Sequence, residues 1–139
     1  MLGRIALAAL MATALIPPMP PQELLTVWEP PEYQAYDGPV LTRENGTIQG
    51  PSGKETYYNL PMDGVISIMR EAGFDAEAYP YWVRDDGCKM LGDYIMVAAD
   101  QDLRPLGTIV PTSRGLGIVC ATGTFIYDNR EQLDLAVNW

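Results

Sequence analysis

The chain has 139 residues, the length of one domain or of a smaller domain with an extension, and its formal net charge is −9. Nucleic-acid binding needs clustered Lys and Arg, which a sequence with 18 acidic and 9 basic residues does not offer. Histidine is absent. Ser-His-Asp triads, Cys-His pairs and histidine-containing zinc sites are therefore excluded, and carboxylates are the expected catalytic groups.

The N-terminal residues have the pattern of an export signal. Arg4 precedes an apolar run over residues 5–16, and residues 12–14 (ATA) offer a small-residue cleavage site. The run is shorter than the roughly 20 residues that a membrane-spanning helix needs. We therefore predict a signal peptide or an N-terminal anchor at residues 1–16 of a secreted or cell-envelope protein, which contacts a membrane only through this segment if the segment is not cleaved.

A proline-rich segment follows. Residues 17–54 contain eight of the twelve prolines, a composition that predicts a semi-rigid, extended linker. Within it, Asn45-Gly46 stands between short β-prone pieces of residues 40–49, which favours a tight hairpin with a type I′ turn.

The predicted folded domain covers residues 55–139 and begins with a β-prone stretch at residues 55–59. One helix is predicted at residues 61–73, where apolar residues recur on one face. Asp63 is a candidate cap for the start of this helix, and Gly73 suits the position after its end. The helix is expected to cover one face of the strands.

Two strands with a tight turn between them are predicted next. Residues 79–84 and 88–91 are β-prone, and they flank Asp85, Asp86 and a glycine. Adjacent acidic residues in a turn are usually solvated, so no metal site is predicted there.

The final third of the chain is predicted to consist of short strands. Apolar or β-branched runs occur at residues 94–99, 108–110, 117–120 and 133–137, with turn composition at residues 111–115. Asp134 lies inside the last run, and strand alternation places it on the face opposite Leu133 and Leu135. A carboxylate in such a strand is costly unless it is paired, hydrogen-bonded or catalytic. Asp134 is therefore the leading candidate for a functional residue.

The motifs of this region also follow one another in a familiar order. The stretch VAADQDLRPLGTIV, followed by GIVCATGTFIYDNREQLDLAV, resembles the 3D domain family, which includes MltA-type lytic transglycosylases and resuscitation-type muralytic proteins. The family pattern has a strand-end aspartate, a P-L-G-T turn, then D-T-G-G and I-D-L. Asp100 falls on the first aspartate and Asp134 on the last, whereas Ala121 stands where the pattern has its middle aspartate.

The resemblance implies a mainly β fold, a small double-psi β-barrel with one covering helix, preceded by the Pro-rich extension. It implies a lytic transglycosylase-like enzyme that cleaves peptidoglycan glycan strands without a cofactor or metal, in a bacterial or phage-encoded protein. In such enzymes one carboxyl group protonates the bridging oxygen. As a base, it then helps the 6-hydroxyl of muramic acid to close a 1,6-anhydro ring. By resemblance, Asp134 has this role.

The resemblance also implies roles for other positions around Asp134. Asp100 would orient the sugar or stabilise developing positive charge, unless it only starts a turn. Thr122 and Gly123 would shape the loop that the missing aspartate normally occupies. Tyr58 would line a sugar groove, unless it belongs to the core. Ala121 leaves a second function open, a barrel that has lost full activity and binds glycan or a protein partner.

Cys88 and Cys120 are the only cysteines. In an exported protein they are candidates for one disulfide, which would close a long loop and constrain the unfolded chain. Two buried free thiols are the alternative, and the sequence leaves both open.

Overall fold

Eight strands and one α-helix form the regular structure of residues 36–139, the part of the chain that this computed structural model describes. The strands are β1 (Ile48–Gly50), β2 (Gly53–Tyr58), β3 (Tyr81–Val83), β4 (Lys89–Leu91), β5 (Tyr94–Ala98), β6 (Ile109–Thr112), β7 (Gly115–Ala121) and β8 (Leu133–Ala136). Helix α1 (Asp63–Glu71) follows β2, and a 3-10 helix (Thr124–Tyr127) follows β7. The predicted mainly β class is confirmed.

The strands form one sheet in the order β1-β2-β8-β5-β4-β3, with β7 beside β5 and β6 beside β7. β5 has three neighbours, because β4 pairs with its first residues, β8 pairs with its last residues, and β7 runs along it. Two pairings are parallel, β2 with β8 and β5 with β7. The path of pairing ends at β1 and β3 and does not close into a barrel. A double-psi barrel therefore stays a prediction.

Each face of the sheet carries an apolar cluster, because side chains alternate along the strands. The core-face cluster consists of Leu41, Cys88, Met90, Ile95, Val97, Ala99, Val110, Val119, Leu133, Leu135 and Val137. The helix-face cluster consists of Met62, Met69, Leu91, Met96, Ile118, Cys120 and Ala136. Asp134 lies on the helix face, opposite Leu133 and Leu135, as predicted.

Helix α1 packs one side against the helix-face cluster. Met69 is fully buried there, and Val65 is partly buried against the same residues. Met62 occupies the N-cap position without a side-chain cap, so the capping role predicted for Asp63 is wrong. Gly73 has φ 103°, which confirms the predicted left-handed position after the helix end. Within residues 36–139, no helix has the length and apolarity of a membrane span.

The prediction of a hairpin within residues 40–49 is wrong, because the two segments predicted to pair do not pair. Asn45 accepts the N–H of Thr42 at 2.8 Å in a turn, but no strand occurs at residues 36–47. β1 instead pairs with β2 across the turn at Pro51-Ser52. The hairpin therefore forms one turn later in the chain than the Asn45-Gly46 signal indicated.

The folded unit begins before residue 55, although residues 17–54 were predicted to be a linker. β1 lies in that segment, and Leu41 is fully buried in the core-face cluster. The N–H of Leu41 donates to Ser113 Oγ at 2.9 Å, and the guanidinium of Arg114 donates to its carbonyl oxygen at 2.7 Å. The predicted signal or anchor at residues 1–16, like the linker up to residue 35, lies outside the described residues.

The two cysteines are buried free thiols on opposite faces of the sheet. Cys88 belongs to the core-face cluster and Cys120 to the helix-face cluster. The structure therefore matches the alternative of two free thiols and contains no disulfide between them.

We expect both thiols to be unreactive in the folded protein and to react after unfolding. Burial raises the pKa of Cys88 to about 11 and that of Cys120 to about 12, so almost no thiolate is present at neutral pH. Titration with an aromatic disulfide reagent should find no accessible thiol in native buffer and both in guanidinium without reductant. If neither thiol reacts in guanidinium, the cysteines are bonded.

Candidate functional site

A pocket of about 380 Å³ opens on the helix face, where the ends of several strands meet the start of α1. One wall is apolar and consists of Leu60, Pro61, Met62 and Val65. The loop after β7 forms a second wall from Ala121, Thr122, Gly123, Thr124 and Phe125, and the strands contribute Tyr58, Ala98 and Asp134. Five of the six site residues predicted from the sequence line this pocket, and Asp100 is the exception.

Asp134 lies in a row of cross-strand neighbours. Its partner on β2 is Thr56 and its partner on β5 is Ala98, which in turn pairs with Ala121 on β7. Neighbouring strands are about 4.8 Å apart, so the Cα atoms of positions 121 and 134 are roughly 10 Å apart. The pairing register of β7 shifts at this point, so Ala121 rather than Cys120 stands opposite Ala98. The register therefore places the start of the 122–124 loop beside Asp134.

The carboxyl group of Asp134 has one hydrogen-bond donor. Thr56 Oγ1 donates to Asp134 Oδ1 at 2.9 Å and itself accepts from Gln132 Nε2 at 2.9 Å. Among residues 36–139, no cation forms an ion pair with Asp134. Burial raises the pKa of Asp134, and the hydrogen bond from Thr56 offsets part of this rise. A carboxyl group that holds its proton to higher pH and faces a pocket is suited to general acid catalysis.

Asp100 is held by partners of its own, outside the pocket lining. Its Oδ1 accepts the N–H groups of Asp102 at 2.9 Å and Leu103 at 3.4 Å, and its Oδ2 accepts from Arg130 Nε at 2.6 Å. The bond from Arg130, followed by these backbone donors, holds the pKa of Asp100 below its ordinary value. This geometry matches the alternative in which Asp100 starts a turn.

The hydroxyl group of Tyr58 is exceptional within the described residues. It is the one buried side-chain polar atom there without a hydrogen-bond partner. Burial, with smaller contributions from nearby Cys120 and Asp134, raises the pKa of Tyr58 well above its ordinary value. Tyr58 therefore brings an unsatisfied hydroxyl to the side of the pocket where Asp134 lies.

We expect Tyr58→Phe to stabilise the protein by about 1 kcal/mol, because it removes a buried polar group that lacks a partner. Urea unfolding should show a higher midpoint with an unchanged slope. Tyr57→Phe is the matched control, since the Tyr57 hydroxyl is exposed and makes only a 3.3 Å bond to the Arg43 carbonyl oxygen. A clear loss of stability in Tyr58→Phe would show that the hydroxyl has a partner in solution.

The apolar wall was missed by the sequence analysis, which assigned the helix only a covering role. Lys89 fixes the approach to this wall, because its ammonium group donates to Asn59 Oδ1 at 2.8 Å and to the Leu60 carbonyl oxygen at 2.7 Å. Lys89 is itself buried, and desolvation lowers its pKa. The sequence contained one signal for this wall, a lysine in the β-prone run at residues 88–91. A lysine is rarely buried in an apolar strand unless its ammonium group has a structural role.

The acidic turn after β3 is an ion-pair centre. Asp86 accepts from Arg84 at 2.8 Å and from Arg114 at 3.0 Å, while Asp85 is exposed. Across residues 36–139, no group of three or more Cys, Asp or Glu side chains is arranged to hold a metal ion.

Comparisons of the chain with protein-family models, with curated proteins and with solved structures found no match. The function of the pocket is therefore inferred from its own side chains and from the motifs of the sequence.

Proposed function

We propose that the chain is a peptidoglycan-cleaving enzyme of the lytic transglycosylase type, with Asp134 as its acid and base. The environment of Asp134 carries this proposal. It is a half-buried carboxyl group on a pocket wall, with one hydroxyl donor and, in the described part of the chain, no paired cation. A general acid works best with a pKa near the operating pH, and burial moves the pKa of Asp134 in that direction.

In the proposed reaction the glycan strand lies in the pocket with its bridging oxygen beside Asp134. The carboxyl group gives its proton to the bridging oxygen, and the bond from C1 to that oxygen breaks through an oxocarbenium-like transition state. The resulting carboxylate takes the proton of the 6-hydroxyl while that oxygen bonds to C1 and closes the 1,6-anhydro ring. Asp134 ends the cycle protonated, and no water is consumed.

The other walls suit a sugar. Thr122 and Thr124 are exposed residues that line the pocket, and the ring of Phe125 packs against Gly123 between them, 3.0 Å from where a Cβ atom would lie. The rings of Tyr58 and Phe125 offer apolar surface to a sugar face. Phe125 was not among the residues predicted from the sequence.

The wider context belongs to the same proposal. An up-and-down barrel has only antiparallel neighbours, so the parallel pairings of β2 with β8 and β5 with β7 favour a double-psi type of barrel over that form. The basic and apolar residues 1–16 support export to the cell envelope, where peptidoglycan strands would be the partner.

The alternative is a barrel that binds glycan or a protein partner without cleaving it. Ala121 favours this alternative, because no second carboxylate lines the pocket among residues 36–139. Cleavage is proposed first because a ring-closing mechanism needs one carboxyl group, whereas hydrolysis by water needs two.

Incubation of the purified protein with isolated cell walls tests the proposal. Mass analysis of the soluble products should find fragments that end in 1,6-anhydromuramic acid. Reducing ends would indicate hydrolysis and contradict the ring-closing step. Binding to the walls without soluble products would support the alternative.

A further inference from the structure

We propose that the outer edge of β3 is a docking site for an extended, positively charged segment of a partner protein, which pairs with β3 as an added strand. No residue of β3 lines the pocket of Asp134, so the proposal goes beyond the proposed function and does not depend on it. The exposure of the strand, the direction of its backbone groups and the acidic residues at its two ends carry the proposal.

β3 is an edge strand with large apolar side chains in solvent. In the described part of the chain it pairs only with β4, and it ends the path of pairing through the sheet. Tyr81, Trp82 and Val83 are 38%, 43% and 42% exposed. The edge of β6 differs, because Pro111 has no N–H and its carbonyl oxygen accepts from Ser52 Oγ at 2.8 Å. An open edge with exposed apolar residues is the surface to which an extended peptide adds.

The pairing of β3 with β4 leaves alternate backbone groups pointing outward. The N–H of Arg84 donates to the Cys88 carbonyl oxygen at 2.9 Å, in register with the β3–β4 ladder. Bonded and non-bonded pairs alternate along an antiparallel ladder, so Trp82 also directs its backbone groups to β4. The N–H and C=O groups of Tyr81 and Val83 therefore point away from the sheet, and an added strand can bond to all four.

Acidic side chains lie at both ends of this edge. Asp85 is exposed shortly after the strand ends. Asp93 is exposed at the other end, and the carbonyl oxygen that precedes it accepts the indole N–H of Trp82 at 2.8 Å. Asp63 also lies near the start of the strand, because burial and then the charge of Asp63 raise the pKa of Tyr81. A cationic residue at either end of an added strand would therefore meet an acidic group.

These charges favour a cationic partner over a second copy of the chain. Two copies paired antiparallel through β3 would match Tyr81 of one with Val83 of the other, because these residues carry the outward groups. The same register would bring Asp85 of each copy toward Asp93 of the other, and like charges repel. A strand with Lys or Arg at both ends would instead meet opposite charges at these places.

The basic and aromatic groups beside the edge are already fixed by bonds within the protein. Arg84, the residue after β3, forms an ion pair with Asp86 at 2.8 Å. The indole ring of Trp82 is held by its bond to Gly92 and stays exposed. The ring therefore offers apolar surface to a neighbouring side chain and a π face to a cation.

The test titrates the isotope-labelled full chain with two hexapeptides, KVTVTK and EVTVTE, both capped at their ends. In amide NMR spectra, KVTVTK at millimolar concentration should shift the N–H signals of Tyr81 and Val83 downfield, because both groups gain an acceptor. The N–H of Trp82, which faces β4, is the internal reference and should move less. EVTVTE should bind roughly tenfold more weakly at low salt, and added salt should narrow this difference.

A third peptide and two double variants separate strand pairing from charge. Methylation of every backbone nitrogen between the two lysines of KVTVTK should abolish binding, since it removes the donors that pair with β3. Asp85→Lys together with Asp93→Lys should reverse the preference, so that EVTVTE binds more tightly. Glu44→Lys together with Asp128→Lys is the matched control, because it changes the net charge equally at exposed acids outside this edge and should keep the preference for KVTVTK.

Several outcomes would overturn the proposal. These are equal affinities of the wild-type protein for KVTVTK and EVTVTE, binding that survives methylation, and the absence of shifts at Tyr81 and Val83. Dimerisation of the wild-type protein with shifts at the same two amides would assign the edge to a second copy of the chain and overturn it as well. None of these outcomes bears on Asp134, because the titration does not measure cleavage.

Discussion

Replacement of Asp134 by Asn is expected to lower glycan cleavage by about 10²- to 10⁴-fold, the loss typical when a general acid–base group is removed. Asn keeps the shape of the side chain and can still accept the hydrogen bond from Thr56, but it has no proton to transfer. Because a half-buried charge is also removed, the folded state should be as stable as the wild type or more stable. Initial rates on purified cell walls, together with thermal unfolding, measure the two effects separately.

The raised pKa of Asp134 also predicts how cleavage depends on pH. Because burial raises the pKa of Asp134, the protonated form that starts the reaction persists to higher pH than in an exposed aspartate. Cleavage should fall as the pH rises through this folded-state pKa. Stability should fall in the same direction between the unfolded and folded pKa values, since the unfolded chain binds fewer protons there. Thr56→Val removes the one donor and should move the fall in activity to higher pH.

A substitution at Ala121, the position where the family pattern has an aspartate, is the control for the role of Asp134. Ala121→Asp is expected to raise cleavage, because a carboxylate roughly 10 Å from Asp134 would stabilise developing positive charge across the pocket. Asp134→Asn must still lower cleavage by about 10²- to 10⁴-fold in that background. If cleavage survives there, Asp134 is a buried structural acid and the enzymatic proposal fails.

The largest effect on stability is expected from Glu55→Ala, a loss of about 3 kcal/mol or more. Glu55 has no exposed surface, and its carboxylate accepts the N–H of Ser113 at 2.9 Å and its hydroxyl at 2.7 Å. Ser113 Oγ in turn accepts the N–H of Leu41. Truncation leaves the donors of Ser113 buried without an acceptor and opens a cavity. The free energy of unfolding in urea measures the loss.

Gly50 provides an internal test of how tightly Glu55 is held. A Cβ atom at position 50 would overlap Oε2 of Glu55, so Gly50→Ala is expected to destabilise the wild type. In the Glu55→Ala background the overlap is gone, and Gly50→Ala should cost little. The four unfolding curves give a coupling free energy, and additive effects would contradict a fixed carboxylate.

Local patterns predicted the strands that are buried on at least one face. Residues 94–99 and 133–137 were recognised because β5 and β8 bury almost every apolar side chain they carry. Pairing partners could not be predicted in the same way. Asn45-Gly46 forms a turn but joins no strands, and the hairpin of β1 and β2 turns at Pro51-Ser52 instead. The burial of Leu41 depends on Ser113, 72 positions along the chain.

The candidate site likewise has parts that the sequence predicted and parts that depend on tertiary packing. The motif order placed Asp134 and Ala121 together, and the register of β8, β5 and β7 brings these positions to one pocket. The apolar wall depends on how α1 docks on the sheet, which no pattern within the helix specifies. The position of Asp100 is decided by Arg130, a residue 30 positions away whose ion pair has no local sequence signal.

The parallel pairing of β2 with β8 also sets the order in which the molecule can be completed. Thr56 and Asp134 are hydrogen-bonded neighbours that lie 78 positions apart in the sequence. β2 therefore cannot pair with β8 until nearly the whole domain has been synthesised. Contacts of such long sequence separation make folding slow. Until β8 arrives, β2 and β5 each present an unpaired edge that can join a second chain. A nascent or truncated chain that stops before Leu133 should therefore aggregate, and it should depend on chaperones in a way that the finished protein does not.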